Sequence, residues 1–239
     1  MSGETQAIRE HLQEVGSLRA AREADEVLAR RVAAIKEHQH ARFSRDYATL
    51  IESPRYGVAT RFFLDDLYGP VDFGDRDAQF GRVVPVMGRL LPTEVMHTVA
   101  HLAELHALSE GLDQHMAQAL TTEEVDDRSY RAAWQTVGHR SDRERQLDLL
   151  LTIGAALDRY TRTPLLTGTL RLMRGPAKAA GLSHLQSFLE RGLAAFTAMH
   201  GAQEFLETIA DNERQLIAGM FLIAQKEKPG ELLRPGFPE

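Results

Sequence analysis

Residues 54–92, PRYGVATRFFLDDLYGPVDFGDRDAQFGRVVPVMGRLLP, decide the fold because they interrupt an otherwise regular series of helical segments. The stretch is about a sixth of the 239-residue chain, yet it contains four of the nine prolines and six of the sixteen aromatic residues. Tyr68-Gly69-Pro70 and Asp72-Phe73-Gly74 divide it, since glycine and proline interrupt helices. We expect these residues to form a corner that turns the chain between two long helices.

The segments outside this stretch predict an all-α fold. Their apolar residues recur at intervals of three and four, the period of an amphipathic helix, and none shows the sustained alternation of a strand. The longest predicted helices span residues 24–52 and 94–120. Short breaks between helices are typical of bundles, so we predict a bundle of eight to nine helices. It forms one domain over residues 1–225, with a candidate subdomain junction near 121–128 and a flexible tail over 226–239.

Several local signals predict where helices dock, begin and bend. The first helix has only a narrow apolar stripe, so it must dock on the body of the protein or on a second subunit. Ser141 with Glu144, and Ser183 with Gln186, have the spacing of capping boxes. Pro85 lies inside an apolar pattern and is expected to kink its helix.

Composition excludes several classes of function. The net charge is −6, and acidic residues are interleaved with the arginines, which argues against nucleic-acid binding. The absence of cysteine excludes disulfides, thiolate catalysis and cysteine-ligated zinc. No signal peptide and no apolar run of about 20 residues is present, so we expect a cytoplasmic protein without a membrane span.

Polar residues within the predicted apolar stripes are the candidate ligand-binding residues. A buried carboxylate needs a partner or a proton, so each of these residues needs an explanation. They could converge on one pocket, or each could pair with an arginine such as Arg42, Arg82 or Arg143; the sequence favours the second interpretation. The candidates are Asp46, His106, Asp113, Asp158 and Glu213.

Metal and heme binding are alternatives to a cofactor-free protein. Glu94 and His97, extended by His101, have the Glu-x-x-His spacing of di-iron bundles, as do Glu37 and His40. Pairs of this kind arise by chance at this composition, and Glu37 and His97 point away from the apolar faces of their helices. Heme could be held by His106 or His101 beside Phe62 and Phe63. We predict no cofactor, with heme or a transition metal as the alternative.

The polar and aromatic residues of the corner have two interpretations. They could form a network of ion pairs and caps that fixes the angle between two helices. Alternatively, aromatic residues on a rigid turn could form a docking surface for a protein partner. The residues concerned are Arg61, Asp65, Tyr68, Asp72, Phe73, Arg76 and Asp77.

The pattern FF-x-x-DLYGP-x-DF-x-x-RD within residues 61–92 resembles that of an uncharacterised family of bacterial helical proteins. The resemblance implies an all-helical fold and carries no established activity, so no functional residue is transferred from it.

Two functions remain open on the sequence. The first is a binding or regulatory protein without catalysis, which acts through protein or small-ligand contacts and forms a homodimer or homo-oligomer. The second is an enzyme or a cofactor carrier with an internal polar site around His106, Asp113, Asp158 and Glu213.

Overall fold

The computed structural model describes the backbone of residues 3–67, 69 and 74–226, and all of their side chains except those of residues 67, 90, 164–167 and 222–226. This part of the chain is helical and contains no strand, and nine of its twelve α-helices have seven or more residues, which confirms the predicted all-α fold. The helices are α1 Gly3–Glu23, α2 Glu26–Asp46, α3 Ala48–Glu52, α4 Gly57–Phe62, a π-helix Phe63–Leu67, α5 Gly74–Leu90, α6 Thr93–Ala119, α7 Asp127–Val137, α8 Arg140–Thr161, α9 Pro164–Leu172, α10 Arg174–Ala179, α11 Ser183–Ala198 and α12 Gln203–Lys226.

Helix α6 lies at the centre of the bundle. It packs against α1, α2, α7 and α8, while α12 packs on α7 and α8, and α11 packs on α4, α5 and α8. Buried residues such as Met96, Leu105 and Leu112 occupy different positions around α6, so that the helix contacts neighbours on several sides. None of the described helices is long and apolar enough to cross a membrane.

Aromatic rings form much of the main core. The Phe63 ring centroid is 5.5 Å from that of Phe205 and 6.0 Å from that of Phe196, distances at which aromatic pairs attract each other. The same core includes Met116 on one side of residues 121–128 and Tyr130 on the other. The connection at 121–128 therefore does not divide two separate cores.

Helix α1 docks on the body of its own chain. Ile8 and Val15 are fully buried, and Ile8 belongs to a smaller core with Val84 of α5 and Met96 and Ala103 of α6. The apolar stripe of α1 is thus covered within the chain, which is the first of the two docking sites that the sequence allowed.

The corner is attached to α11. The Phe62 ring packs so closely on Gly192 that a Cβ there would lie 2.9 Å from the ring. Arg191 donates to the Asp66 carboxylate at 3.1 Å, and Arg76 donates to the Asp66 carbonyl oxygen at 2.9 Å. Residues 63–67 form a π-helix, whereas the sequence predicted an ordinary helix here.

Several predicted helix boundaries were wrong. Neither Ser141 nor Ser183 caps its helix: His139 precedes α8 in the left-handed conformation, and in the first turn of α11 the Leu185 N–H donates a hydrogen bond to Gln79 Oε1 instead. The predicted helix 24–52 is interrupted at Tyr47. Capping boxes and apolar stripes describe local preference, which tertiary contacts override here.

Candidate functional site

A cavity of about 120 Å³ lies where α1, α2, α5, α6 and α11 meet. We call it the histidine cavity because His106 lines it. Its polar end is formed by charged side chains of α2, α5 and α6, and the remainder of its lining is largely apolar. The principal apolar side chains are Leu12, Phe80, Met87, Leu102, Leu105 and Phe188.

Asp77 organises one side of the polar end. Its Oδ2 lies 2.9 Å from His106 Nε2 and accepts a hydrogen bond from Arg19 at 2.9 Å, while Arg76 Nε is 3.6 Å from its Oδ1. Burial opposes ionisation, but His106 and the two arginines outweigh it and lower the pKa of Asp77. The carboxylate is therefore ionised, and His106 Nε2 donates the hydrogen bond to it.

Glu110 organises the other side and joins three helices. It pairs with Lys36 of α2 and, at 2.6 Å, with Arg22 of α1. Burial again opposes ionisation, but attraction to Lys36 and Arg22 prevails and lowers the pKa of Glu110 to about 2. These ion pairs fix α1 across α6 at the cavity.

Asp113 lies deeper and behaves differently. It is 7% exposed and accepts a hydrogen bond from Gln39 at 2.8 Å. Burial is the main cause of the raised pKa of Asp113, and the positive charge of Lys36 only partly opposes it. The surroundings of Asp113 thus favour its protonated form, whereas those of Asp77 and Glu110 favour the ionised form.

The helical period explains how these side chains meet. His106, Glu110 and Asp113 are separated by four and three residues on α6, and Lys36 and Gln39 by three on α2, so each set shares one helix face. Asp77 lies in the first turn of α5, where the helix dipole also favours a negative charge.

A second cavity, of about 80 Å³, lies between α2, α6, α7, α8 and α12. We call it the arginine cavity because Arg42 and Arg143 line it. It shares Gln39, Ser109 and Asp113 with the histidine cavity. Its apolar lining includes Phe43, Trp134, Leu147, Leu150 and Ile217.

The two arginines of this cavity differ in their partners. Arg42 donates to the Glu213 carboxylate at 3.1 and 3.3 Å, and Tyr47 donates to Glu213 at 2.7 Å. Arg143 lies over the Trp134 ring, with its guanidinium carbon 3.9 Å from the ring centroid, and no carboxylate of the described residues is within 4 Å of it. Burial lowers the pKa of Arg143.

The five predicted pocket residues are not all brought together. His106 and Asp113 line the histidine cavity, and Asp113 and Glu213 line the arginine cavity. Asp46 is exposed and pairs with Arg42 at 3.2 Å. Asp158 lies elsewhere, where it accepts a hydrogen bond from the Ala202 amide at 3.0 Å near the start of α12. His106 and Asp113 therefore line a pocket, as one interpretation predicted. Asp46 and Glu213 each pair with an arginine, as the other predicted.

The corner residues contact several helices, and two of them, Arg76 and Asp77, also pair with each other. Arg76 and Asp77 line the histidine cavity, Asp65 lies 3.5 Å from His40 of α2, and Arg61 is exposed. The predictions for Tyr68, Asp72 and Phe73 lie outside the described residues.

The candidate metal ligands lie on the surface side of α6. Glu94 is exposed, and His97 is exposed and 3.6 Å from Glu4. His101 is half-buried and lines neither of the two cavities. Among the residues that the structure describes, no group of three or more histidine or acidic side chains is placed to hold a metal ion.

Sequence reasoning missed the cations that complete the site. Arg19, Arg22, Lys36 and Glu110 were not singled out. The available signal was spacing: Lys36 and Gln39 are three apart, as are Arg19 and Arg22. This spacing became informative only once α1 and α2 were known to cross α6.

Comparison with known proteins gives a family and no activity. A family model described as "Domain of unknown function (DUF8198)" matches residues 18–229, which include the corner and every residue of the two polar cavities except Leu12. No curated protein and no solved structure matches the chain. The match confirms the resemblance to an uncharacterised family, and the chain belongs to the DUF8198 family of domains of unknown function.

Proposed function

We propose that this protein binds a small molecule in the histidine cavity, with an apolar body against the helix walls and one polar head group at the charged end. The observation that carries the proposal is the joint presence of an internal space and ordered charges at one end of it. Ligand sites are commonly apolar with a few convergent polar groups.

The charged end is held in place by contacts within the chain. Asp77 holds His106, and Glu110 holds Lys36, through contacts between different helices. Groups held in this way lose little freedom when a ligand arrives, which favours binding. The arrangement offers both donors and acceptors to a polar head group.

The volume limits the size of the ligand. At about 120 Å³, the cavity is somewhat smaller than the roughly 150 Å³ cavity that holds benzene in an engineered protein core. The apolar body of a ligand can therefore be no larger than about one benzene ring, and a large cofactor would require the helices to separate.

Thermal unfolding with a set of small probes tests the proposal. Phenol, benzyl alcohol, benzoate and benzylamine share a ring and differ in the head group, and benzene lacks one. A ligand that binds only the folded protein raises the unfolding midpoint with its concentration. We expect at least one probe with a head group to raise the midpoint more than benzene does.

Two pairs of variants locate the binding. Ala103→Leu should fill the cavity and abolish the rise, because Ala103 lines it. His106→Gln should weaken the effect of the best probe, whereas His101→Gln, on the same helix but outside the cavity, should not. Millimolar probes that leave the midpoint unchanged, or that act equally on Ala103→Leu, would contradict the proposal.

A further inference from the structure

Three buried N–H groups of the arginine cavity have no hydrogen-bond partner among the described residues. They are Nε of Arg42, Nε1 of Trp134 and Nε of Arg143. Buried polar groups are nearly always paired in folded proteins, so an unpaired group calls for an explanation. All three unpaired atoms are donors, which points to a missing acceptor.

Arg143 also forms no ion pair with any carboxylate of the described residues. It is 5% exposed, and its nearest partners are Met116 Sδ at 3.0 Å, Gln146 Oε1 at 3.5 Å and the Trp134 ring. A thioether, an amide and an aromatic face do not carry the negative charge that a buried guanidinium requires.

The acids of the cavity are already engaged. Glu213 accepts hydrogen bonds from Arg42 and Tyr47, and Asp113 accepts one from Gln39. Neither lies within ion-pair distance of Arg143 in the described structure. Among the described residues no carboxylate pairs with Arg143, and an anion that enters the cavity would supply the missing acceptor.

The space suits more than a single water molecule. A water needs about 10–15 Å³ of such space, and this cavity offers about 80 Å³. Water could satisfy the donors but would not neutralise Arg143. Leu147, Leu150 and Ile217 form apolar walls, which suit a hydrocarbon chain better than the fully polar surface of a phosphate ion.

We propose that the arginine cavity binds a short-chain monocarboxylate, whose oxygens accept hydrogen bonds from Arg143 and Trp134 and whose alkyl chain contacts Leu147, Leu150 and Ile217. Arg143 would supply the charge, and Trp134 would hold the guanidinium by stacking as well as donating. The proposal does not rest on a ligand in the histidine cavity, although the two cavities share Gln39, Ser109 and Asp113.

Tryptophan fluorescence tests the proposal directly, because Trp134 is the single tryptophan of the chain and lines only the arginine cavity of the two. Titration with butyrate at constant ionic strength should give a saturable change in emission. Inorganic phosphate and chloride should give none at the same concentrations. An unsaturable change, no change, or an equal response to phosphate would overturn the assignment of a carboxylate.

Matched arginine variants identify the residue responsible. Arg143→Gln removes the charge and should weaken butyrate binding at least tenfold. Arg145→Gln is its control, because Arg145 lies on the same helix but is exposed and pairs with Glu104 at 2.7 Å. Unchanged affinity in Arg143→Gln, with its fold verified by circular dichroism, would overturn the role of Arg143.

A second variant decides the matter if Arg143→Gln does not fold. Trp134→Phe keeps an aromatic ring under Arg143 but removes the indole N–H. Binding is then followed by the line width of carbon-13-labelled butyrate in nuclear magnetic resonance. Weaker binding than in the unsubstituted protein supports the site, and equal binding in both proteins would overturn it.

Discussion

The histidine and arginine cavities share a wall but hold buried charge in different ways. In the histidine cavity both ionised acids have two cationic partners: Asp77 has Arg19 and Arg76, and Glu110 has Lys36 and Arg22. The acids and their partners together come from helices α1, α2, α5 and α6, so the charges also join the elements that enclose the space.

In the arginine cavity the charges are not matched within the described chain. Arg42 is paired with Glu213, whereas Arg143 has no carboxylate within 4 Å. The difference indicates that internal charge has two roles in this fold. Paired charge contributes to holding the helices together, whereas an unpaired buried charge favours the binding of a ligand with the opposite charge. The two roles predict opposite effects of substitution on stability.

The largest effect should follow from Glu110→Gln. This change leaves Lys36 and Arg22, whose side chains are only 16% and 13% exposed, without their shared carboxylate, and breaking a largely buried ion pair costs about 3–5 kcal/mol in the free energy of unfolding. Urea denaturation measures the loss. Glu104→Gln is the control, since its pair with Arg145 is partly exposed and should contribute about 1 kcal/mol or less. Equal, small losses in both variants would refute the structural role of Glu110.

A somewhat smaller effect should appear in acid. The pKa of Glu110 is lowered from 4.5 to about 2 on folding, so its contribution is complete above the unfolded pKa and declines as the pH falls from about 4.5 towards 2. The full contribution corresponds to about 3 kcal/mol. Urea denaturation of the unsubstituted protein and Glu110→Gln at several pH values should show curves that converge below pH 4.5. A constant difference between them would contradict the assignment.

The smallest effect should have the opposite sign. Arg143→Met removes a buried cation without a counterion and keeps an unbranched chain of similar length. Without a carboxylate present, we expect the free energy of unfolding to rise by about 1 kcal/mol. Arg42→Met should lower it, because that change leaves Glu213 buried without its guanidinium. If both variants lose a similar free energy of unfolding, then Arg143 stabilises the protein through its present contacts. That result would contradict the proposed difference between Arg42 and Arg143.

The helical period of the sequence was enough to predict the fold class. Nearly every apolar stripe became a helix face, and His106 and Asp113 were recognised because polar residues at the centre of a stripe need partners. Glu213 was recognised for the same reason. Asp158 satisfied that rule equally well, yet it accepts a hydrogen bond at the start of α12. An apolar stripe shows that a side chain points inward, but it does not show which residues of other helices that side chain contacts.

The pairing across helices could not be predicted, because it depends on crossing positions. Lys36 and Glu110 are 74 residues apart, and Arg19 and Asp77 are 58 apart. Local spacing contains no information on such distances. The partners of the corner charges could not be predicted for the same reason. These charges looked like a local network, but Asp66 pairs with Arg191 of α11 and Asp77 with His106 of α6.

The common wall of the two cavities has a thermodynamic consequence. Gln39, Ser109 and Asp113 line both spaces, so a molecule that moves any of these side chains, or changes the protonation of Asp113, alters both at once. If an occupant of one cavity changes the affinity of the other, the reverse effect must have the same factor. Measuring each affinity with the other cavity empty and filled would therefore give one coupling constant twice, from two independent titrations.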